Sequence, residues 1–376
     1  MRNPGIGLIG TGFMGKCHAL AYRSVATIFP DVLAPDLITL CDQPLDQASK
    51  LSKEFGFSKA TDDWQSLLSD PDIDIISITT PNKLHHEIAL AALQSGKHVY
   101  CEKPLSLTIS QAREMANAAG KSRSKTIVGY NYLCNPAIQH ARELIHQGAI
   151  GRITHFRGVV DEDYQADPDL PWTWRVTKSE AGLGALGDLG CHLVSIACTL
   201  VGPIESLVAD MQTIYAKRPD PDGGNPRPVE NEDVASALLR FENGVQGSMS
   251  TSRSAWGRKN YLVWEVHGDR GMLTCNQERM NELRLYENKG PVSTQGFKTI
   301  LSGPAHPSYG AFCPAPGHGL GFNDLKVIEL AGLLKAIEDN KPASPSFSDA
   351  LHFEEVIHAI STSATSGERV EIQSII

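Results

Sequence analysis

In the first third of the chain, short apolar runs alternate with longer stretches in which apolar residues recur every three or four positions. The runs are rich in β-branched residues, as is typical of strands buried on both faces. Strands are predicted at 5–9, 37–41, 73–79, 98–101 and 126–130, and helices at 14–26, 45–55, 84–94 and 109–119. This alternation predicts a doubly wound α/β domain with a parallel sheet.

The pattern changes after residue 131. A helix at 137–146, a strand at 153–160, a tryptophan-rich loop and a helix near 187–200 precede a succession of strands without intervening helices. These strands are predicted at 204–215, 233–241, 245–252, 262–267, 271–275 and 282–287, with closing helices at 324–338 and 347–364. Strands in succession favour a large, open, mostly antiparallel sheet in an α+β domain. We therefore expect two domains, 1–131 and 132–376, in keeping with a length of 376 residues.

Composition narrows the class of protein. The net charge of −9 argues against nucleic acid as the main partner, since a phosphate-binding surface needs a basic field. No apolar run approaches the roughly 18 residues of a membrane span, and the N-terminal stretch lacks the pattern of a signal peptide. The eight cysteines are scattered without CxxC pairs, which favours reduced thiols and a cytoplasmic protein. Histidines and cysteines also lack metal-ligand spacing, so no metal is expected.

A glycine motif marks the end of the first predicted strand and the start of the first helix. Gly10 permits a tight turn, Gly12 lets backbone N–H groups approach a pyrophosphate, and Gly15 lets the helix pack closely on the sheet. The helix N-terminus supplies hydrogen-bond donors and a partial positive charge for the phosphates. In this strand–turn–helix context the motif predicts a dinucleotide site; a glycine turn without a ligand is the alternative.

An acidic residue ends the second predicted strand. Asp42 is placed to accept from the ribose hydroxyls of a dinucleotide, and no arginine adjoins it to neutralise a 2′-phosphate. We therefore expect NAD rather than NADP, although a solvated strand-end carboxylate would look the same. Thr80, Pro81 and Asn82 follow another strand at the same sheet edge and are expected to border the cofactor. His85 is interpreted mainly as a surface and packing residue, with a ligand contact as the alternative.

Two further groups suggest acid–base chemistry. Lys103 follows the strand 98–101 between Glu102 and Pro104, where it could reach a substrate beside the cofactor; a surface lysine is the alternative. Asp188 and His192 are four residues apart, which puts both on one face of a helix. A carboxylate orients an imidazole and raises its pKa, so the histidine could accept an alcohol proton during hydride transfer. The alternative is a helix-start aspartate with a core histidine.

At these residues the chain resembles the Gfo/Idh/MocA family of sugar and inositol dehydrogenases. The resemblance is carried by GTGFMGKCHA, ITTPNKLHHEIALAAL, CEKPLSLT, VGYNYLCNPA and GALGDLGCHL, which span both predicted domains. It implies that Lys103 contacts the hydroxyl being oxidised and that His192, with Asp188, is the acid/base. One departure is Ser195, where many members have an acidic residue. The expected cofactor contacts are Gly10, Thr11, Gly12, Phe13, Met14, Gly15, Asp42, Thr80, Pro81, Asn82, His85, Glu102, Lys103 and Asn131.

A closer resemblance is to the branch of scyllo-inositol and L-glucose dehydrogenases, with levoglucosan dehydrogenase nearby. It rests on DYQADPDLPWTWR, STSRSAWGRKNYLVWEVHG and GPAHPSYGAFCPAPGHGLGFNDLK, whose aromatic and polar residues suit a sugar ring. The expected substrate contacts are Lys103, Tyr130, Trp174, Arg175, Asp188, His192 and His318.

The resemblance implies NAD-dependent oxidation of a hydroxyl of a cyclic polyol or pyranose, most simply an inositol or L-glucose. Oxidation of levoglucosan or a glycoside to its 3-keto form, NAD-assisted glycoside cleavage and a non-catalytic NAD-sensing regulator are the alternatives. Family members usually bury the open face of the C-terminal sheet, so we expect a homodimer or homotetramer through that sheet.

Overall fold

The computed structural model describes residues 2–372, which divide into two compact units. Unit 1 runs from the N-terminus to Cys134 and also includes Gly321–Leu351, whereas unit 2 comprises Asn135–Leu320 and the segment from His352 onward. The expected boundary at 131/132 lies near Cys134, where the chain first passes from unit 1 to unit 2. The expectation was wrong for residues 321–351, which were assigned to the C-terminal domain but lie in unit 1. These residues join unit 1 because they contain a helix that packs against the first helix of the chain.

Unit 1 begins with the alternation of strands and helices that the apolar pattern predicts. Its elements are β1 (Gly5–Ile9), α1 (Phe13–Ile28), β2 (Asp36–Cys41), α2 (Leu45–Phe55), β3 (Lys59–Thr61), α3 (Gln65–Ser69), β4 (Ile75–Ile78), α4 (His85–Gln94), β5 (His98–Cys101), α5 (Ile109–Lys121) and β6 (Thr126–Val128). The sheet is parallel, in the order β3-β2-β1-β4-β5-β6. The doubly wound fold is thus confirmed, while β3 and α3 are short elements that the sequence did not predict.

The sheet order places the candidate residues of unit 1 together at the carboxyl ends of the strands. Chain order reverses between β1 and β4, and in doubly wound sheets ligands bind outside the carboxyl ends of the strands at such a reversal. Strands β1 and β4 are buried along their whole length, which explains their continuous apolar sequences. The glycine motif follows β1, and Thr79 follows β4, so both lie at this reversal.

Unit 2 is built around a large mixed sheet. The remaining elements are α6 (Pro136–His146), β7 (Ile153–Asp161), α7 (Lys178–Ala181), α8 (Cys191–Val201), β8 (Ile204–Gln212), β9 (Lys217–Arg218), β10 (Arg227–Pro228), β11 (Val234–Phe241), β12 (Gln246–Ser252), β13 (Tyr261–Gly268), β14 (Gly271–Asn276), β15 (Glu282–Glu287), β16 (Lys298–Leu301), α9 (Tyr309–Phe312), α10 (Phe322–Glu338), α11 (Phe347–Ser366) and β17 (Val370–Glu371). Of these, α10 lies in unit 1 and α11 crosses the division at Leu351.

Nine strands form this sheet in the order β16-β15-β14-β13-β7-β12-β11-β8-β17. Only the β7–β12 pair is parallel among the described strands of this sheet, so the expectation of a mostly antiparallel sheet is confirmed. Burial alternates along β13: Leu262, Trp264 and Val266 face the core, whereas Tyr261 and Val263 lie on the other face, which we call the open face.

One helical stretch in unit 2, Lys178–Val201, is long and apolar enough to cross a membrane by length and composition. Its most apolar window is 83% buried inside the protein, however. This burial is the property of a helix in a hydrophobic core.

Candidate active site

The glycine loop after β1 contains two glycines that the fold itself requires. Gly10 has a φ of +98°, and a Cβ atom there would lie 2.7 Å from the carbonyl oxygen of Thr79. A Cβ atom on Gly15 would lie 2.2 Å from the carbonyl oxygen of Gly10. Side chains at these positions would therefore separate α1 from the strand ends.

Gly12 differs from its two neighbours because nothing in the protein requires a glycine there. It caps α1 in an ordinary extended conformation, and a Cβ atom would meet no heavy atom within 4 Å. No side chain caps this helix N-terminus. An exposed backbone at a helix start fits an approaching pyrophosphate, whose close contact only glycine permits.

Asp42 lies at the end of β2 and is bound to the glycine loop. Its Oδ2 accepts hydrogen bonds from the backbone N–H of Thr11, at 2.8 Å, and from the Thr11 hydroxyl. Its Oδ1 accepts from the N–H of Gln43 at 2.7 Å. The carboxylate is thus half-buried and held in one orientation beside Gly10 and Gly12. A freely solvated side chain, the alternative interpretation of the sequence, would not be held in this way.

The end of β4 is also joined to this loop. The Thr79 hydroxyl lies 2.8 Å from the carbonyl oxygen of Gly10 and 3.1 Å from that of Ile9. Thr80, Pro81 and Asn82 follow and are all partly exposed. The structure therefore brings the glycine loop, Asp42 and the segment after β4 together at one edge of the sheet.

His85 is a packing residue, as the sequence suggested, but it does not lie on the surface. It is buried, so the surface interpretation is wrong, and its ring nitrogens lie 2.9 Å from the Pro104 carbonyl oxygen and 3.1 Å from that of Thr80. Burial lowers its pKa. A neutral imidazole has a single N–H, so His85 donates to one of these two carbonyl oxygens and lies against the segment that carries the other.

Lys103 follows β5 and is half-buried, whereas the neighbouring Glu102 is only 4% exposed. The Glu102 carboxylate lies 2.6 Å from Lys326 Nζ and 2.8 Å from His18 Nε2. Burial opposes ionisation of Glu102, but Lys326 and His18 outweigh that effect and lower its pKa. Glu102 is thus engaged by protein groups rather than facing a cofactor.

Tyr130 and Asn131 follow β6 after Gly129, and β6 is the strand next to β5. Both are buried, at 0% and 2% exposure. The glycine loop, Lys103 and this pair all follow carboxyl ends of strands in the same sheet.

In unit 2, Asp188 is surrounded by residues of the tryptophan-rich loop. The Tyr164 hydroxyl donates to Asp188 Oδ2 at 2.7 Å, and Arg175 Nη1 lies 3.8 Å from the same oxygen. The Arg175 guanidinium also stacks on Trp174, 4.7 Å from its ring centre. The structure therefore brings Trp174, Arg175 and Asp188 together, as expected, and adds Tyr164, which the sequence analysis missed.

Buried polar groups hold this loop in place. The Arg253 guanidinium, 1% exposed, pairs with Asp233 at 2.7 Å and donates to Asn231 at 2.9 Å. Asn231 in turn donates to the carbonyl oxygen of Arg175 at 3.0 Å. Hydrogen bonds therefore connect the backbone of Arg175 to residues just before β11 and just after β12.

Asp188 and His192 lie where a π turn, Leu186–Gly190, leads into α8. A regular helix was predicted here, and π turns inside helices occur frequently at functional sites. His192 is 6% exposed. Ser195, the departure from the family pattern, is buried and donates its hydroxyl to the His192 carbonyl oxygen at 2.8 Å, so it packs within the helix.

His318 lies in the loop before α10 and is exposed. Its Nδ1 lies 3.3 Å from the Pro316 carbonyl oxygen, a contact within its own loop. The geometry of unit 2 thus gives no support to a substrate contact by His318. Within residues 2–372, no group of three or more His, Cys, Asp and Glu side chains is arranged to hold a metal ion.

Both units resemble known protein families. Residues 5–130 match the family described as an oxidoreductase family with an NAD-binding Rossmann fold, and residues 138–274 match the GFO/IDH/MocA C-terminal domain. Levoglucosan dehydrogenase of Pseudarthrobacter phenanthrenivorans is 38% identical, with 100% of each chain covered. Myo-inositol 2-dehydrogenase of Thermotoga maritima is 27% identical over 76% of this chain and 79% of its own.

A solved structure of levoglucosan dehydrogenase, in complex with NADH and levoglucosan, superimposes with a TM-score of 0.97. It is 39% identical to this chain and covers 100% of both chains. The likeness therefore extends over both units.

Proposed function

This chain belongs to the Gfo/Idh/MocA family of oxidoreductases, and from that premise we propose that it oxidises a ring hydroxyl of a pyranose sugar of the levoglucosan type, with NAD as hydride acceptor. The observation that carries the proposal is the full-length similarity to levoglucosan dehydrogenase together with Lys103, Asp188 and His192 in this chain. A non-catalytic regulator would not need that acid/base set.

The cofactor half of the proposal rests on unit 1. The N-terminal domain matches an NAD-binding Rossmann family, and the residues present fit the dinucleotide: Gly12 leaves its backbone accessible, and Asp42 is oriented beside it. We assign the ribose hydroxyls to Asp42. The surrounding contacts are assigned to Thr11, Phe13, Met14, Thr80, Pro81, Asn82 and Asn131.

The chemical roles are assigned to three side chains. His192 accepts the proton of the substrate hydroxyl, while Asp188 orients the imidazole and stabilises its protonated form. Lys103 hydrogen-bonds the same oxygen and steadies its developing negative charge. Bound NAD supplies the hydride acceptor for the carbon that bears this hydroxyl.

Substrate binding is assigned to the loop that surrounds Asp188. The Trp174 ring offers a face for the C–H groups of a sugar ring, and Arg175 offers donors for its hydroxyls. In unit 1, Tyr130 is assigned as a further substrate contact. Full-length similarity favours a levoglucosan-type pyranose over the inositols and L-glucose that the sequence motifs suggested first. The similarity to a myo-inositol dehydrogenase keeps cyclic polyols as the second candidate class.

Assembly and location complete the proposal. We infer that a second copy of the chain covers the open face of the unit 2 sheet, giving a homodimer or homotetramer, because that face carries apolar side chains such as Val263 and Leu238.

None of the eight cysteines, all within the described residues, forms a disulfide, which supports a reducing compartment such as the cytoplasm.

A steady-state screen tests the proposal. Initial rates of NADH formation are measured with levoglucosan, pyranose glycosides, L-glucose, and scyllo- and myo-inositol, each with NAD and with NADP. We expect the highest kcat/KM with NAD and a pyranose. Absence of NAD reduction with every sugar and polyol contradicts the proposal, and cleavage of a glycoside without net NADH formation indicates the cofactor-recycling alternative.

A further inference from the structure

Unit 1 contains five buried polar side chains that contact one another and that the proposed chemistry does not use. We call His18, Tyr100, Glu102, Lys326 and Glu329 the buried charge cluster. Their exposures range from 0% to 4%, although three of them are ordinarily charged. Lysine and glutamate are almost never fully buried unless they are paired, so this cluster needs an explanation.

Lys326, on α10, is the centre of the cluster. Its ammonium group donates to Glu102 Oε1 at 2.6 Å, to Glu329 Oε2 at 2.9 Å and to the carbonyl oxygen of Gly129 at 3.4 Å. The Tyr100 hydroxyl oxygen lies 3.5 Å away as a fourth acceptor, so these groups share the three hydrogens of the ammonium. Burial opposes the charge on Lys326, but the two carboxyl groups outweigh it and raise its pKa.

Glu102 extends the contacts to two more segments. Its Oε1 also lies 2.8 Å from His18 Nε2 on α1, and its Oε2 accepts from the backbone N–H of Lys103 at 3.3 Å. A Cβ atom on Gly129, the residue after β6, would lie 2.5 Å from Glu102 Oε1, so a side chain there would displace the carboxylate. The carboxylate thus lies between the end of β5 and the end of β6.

Stability alone does not account for such a cluster. Removing charges from water is costly, and well-packed neutral residues often replace a buried ion pair with no loss of stability. A buried ion pair does, however, require one geometry, because its partners lose much energy when they move apart.

The segments that the cluster joins are those that carry candidate residues. His18 lies on α1, the helix that begins at the glycine loop, and Glu102 immediately precedes Lys103. Gly129 immediately precedes Tyr130 and Asn131. One ammonium group therefore connects three separate parts of the candidate site within unit 1.

We propose that Lys326 is a positioning residue: through the buried charge cluster it fixes the placement of the Lys103 and Tyr130–Asn131 segments relative to each other and to α1. The expected effect on turnover rests on the proposed function. Displacement of a catalytic group by about 1 Å can cost on the order of a hundredfold in rate. Loss of the cluster should thus reduce turnover far more than cofactor affinity, since the glycine loop and Asp42 remain.

A charge-balanced exchange tests this idea. The double variant Lys326→Met/Glu102→Gln removes one positive and one negative charge, so the net charge of the cluster is unchanged. Glu329 also loses Lys326 as a partner, and it then keeps its proton more readily because burial raises its pKa and Lys326 no longer opposes that shift. The matched control is Lys335→Met/Asp31→Asn, the equivalent exchange in an exposed ion pair whose lysine lies on the same helix, where the two groups lie 3.2 Å apart. Melting temperature, NAD affinity by calorimetry, kcat, and hydrogen–deuterium exchange of residues 98–108 and 126–134 are measured for both.

For the double variant we expect a melting temperature close to that of the wild type and a change in NAD affinity below about threefold, which is under 1 kcal/mol. We expect kcat to fall about ten- to a hundredfold and exchange in both segments to become faster. The control should match the wild type in every measurement. If the double variant keeps the kcat and the exchange rates of the wild type, the proposal is wrong. It is also wrong if kcat, NAD affinity and melting temperature all fall to a similar degree, because the cluster would then support the fold in general.

Hydrogen exchange separates this proposal from the proposed function because it needs no substrate. If the wild type oxidises no sugar, the proposed function has failed, and faster exchange in the double variant still supports the positioning role. If the double variant does not fold, Glu102→Gln alone is measured in the same way. Unchanged exchange and turnover in that variant would then overturn the proposal.

Discussion

Asp42 is the residue whose charge should decide between the two nicotinamide dinucleotides. Its carboxylate is held beside the glycine loop by Thr11, where it would accept from ribose hydroxyls and repel a 2′-phosphate. We expect Asp42→Ala to lower the ratio of kcat/KM for NAD to that for NADP by about tenfold or more, equivalent to at least about 1.4 kcal/mol. The control is Asp62→Ala, an exposed carboxylate just after β3. Equal or better use of NADP by the wild type contradicts the assignment.

Lys103 and His192 should control turnover rather than cofactor affinity. We expect Lys103→Ala and His192→Ala each to lower kcat by about two to four orders of magnitude. The two losses should not add fully, because both groups act on one oxygen. Rapid kinetics with the best substrate measures kcat, calorimetry measures NAD affinity, and His86→Ala on the surface of α4 is the control.

Near-normal turnover of Lys103→Ala would show that the mechanism is wrong. If only His192→Ala retains turnover, Lys103 becomes the base.

Tyr164 should affect the pH dependence of the reaction through Asp188. Its hydroxyl donates to Asp188 Oδ2, and loss of that bond disfavours the carboxylate form. In Tyr164→Phe we expect the acidic limb of kcat/KM to move to higher pH. We expect kcat to fall by about ten- to a hundredfold, since hydrogen bonds to charged groups are worth about 1.5–3 kcal/mol and about 1.4 kcal/mol is a factor of ten. Tyr215→Phe is the control, because that hydroxyl donates to the Ala166 carbonyl oxygen instead. A pH profile identical to the wild type contradicts the role.

At the scale of elements, helix α10 should make stability depend on pH through Glu329. Burial raises the pKa of Glu329 to about 7, although Lys326 opposes the shift. In the unfolded chain a glutamate titrates near about 4.3, so between these values the folded protein keeps a proton that the unfolded chain releases. The contribution of Glu329 therefore favours folding below about pH 4.3 and is lost as the pH rises towards 7.

Glu329→Gln isolates this contribution because its amide cannot ionise. We expect the melting temperature of the variant, relative to the wild type, to be about 2 °C or more higher at pH 8 than at pH 5. Glu338→Gln, an exposed glutamate at the end of the same helix, is the control and should show no such trend. A difference that is constant from pH 5 to pH 8 contradicts the shifted titration.

At the scale of the whole molecule, the open face of the unit 2 sheet should be an interface between copies of the chain. Leu238 on β11 is 60% exposed on that face. Sedimentation at micromolar concentration should show a dimer or tetramer for the wild type and a shift towards monomer for Leu238→Lys, because a buried lysine charge is costly. Val292→Lys, 84% exposed between β15 and β16, is the control. A monomeric wild type contradicts the assembly.

Several elements were predictable because their boundaries have local causes. Helix α2 was found at the predicted residues: Pro44 precedes it, and Gly56, with a φ of +89°, ends it. Strands β1 and β5 also match because they are continuously apolar and buried. The short strands β3 and β16 were missed because they are partly exposed and carry little apolar signal.

The sequence by itself thus determined the αβ alternation, the glycine motif and the types of residue available for acid–base chemistry, because these depend on neighbours along the chain. Only the tertiary structure decided the parallel pairing of β7 with β12, the return of α10 to unit 1, and the contacts of Tyr164 with Asp188 and of Lys326 with Glu102. The last pair is 224 residues apart. Contacts at such separations depend on which faces bury one another and on where a charge finds its partner, and no local pattern encodes either.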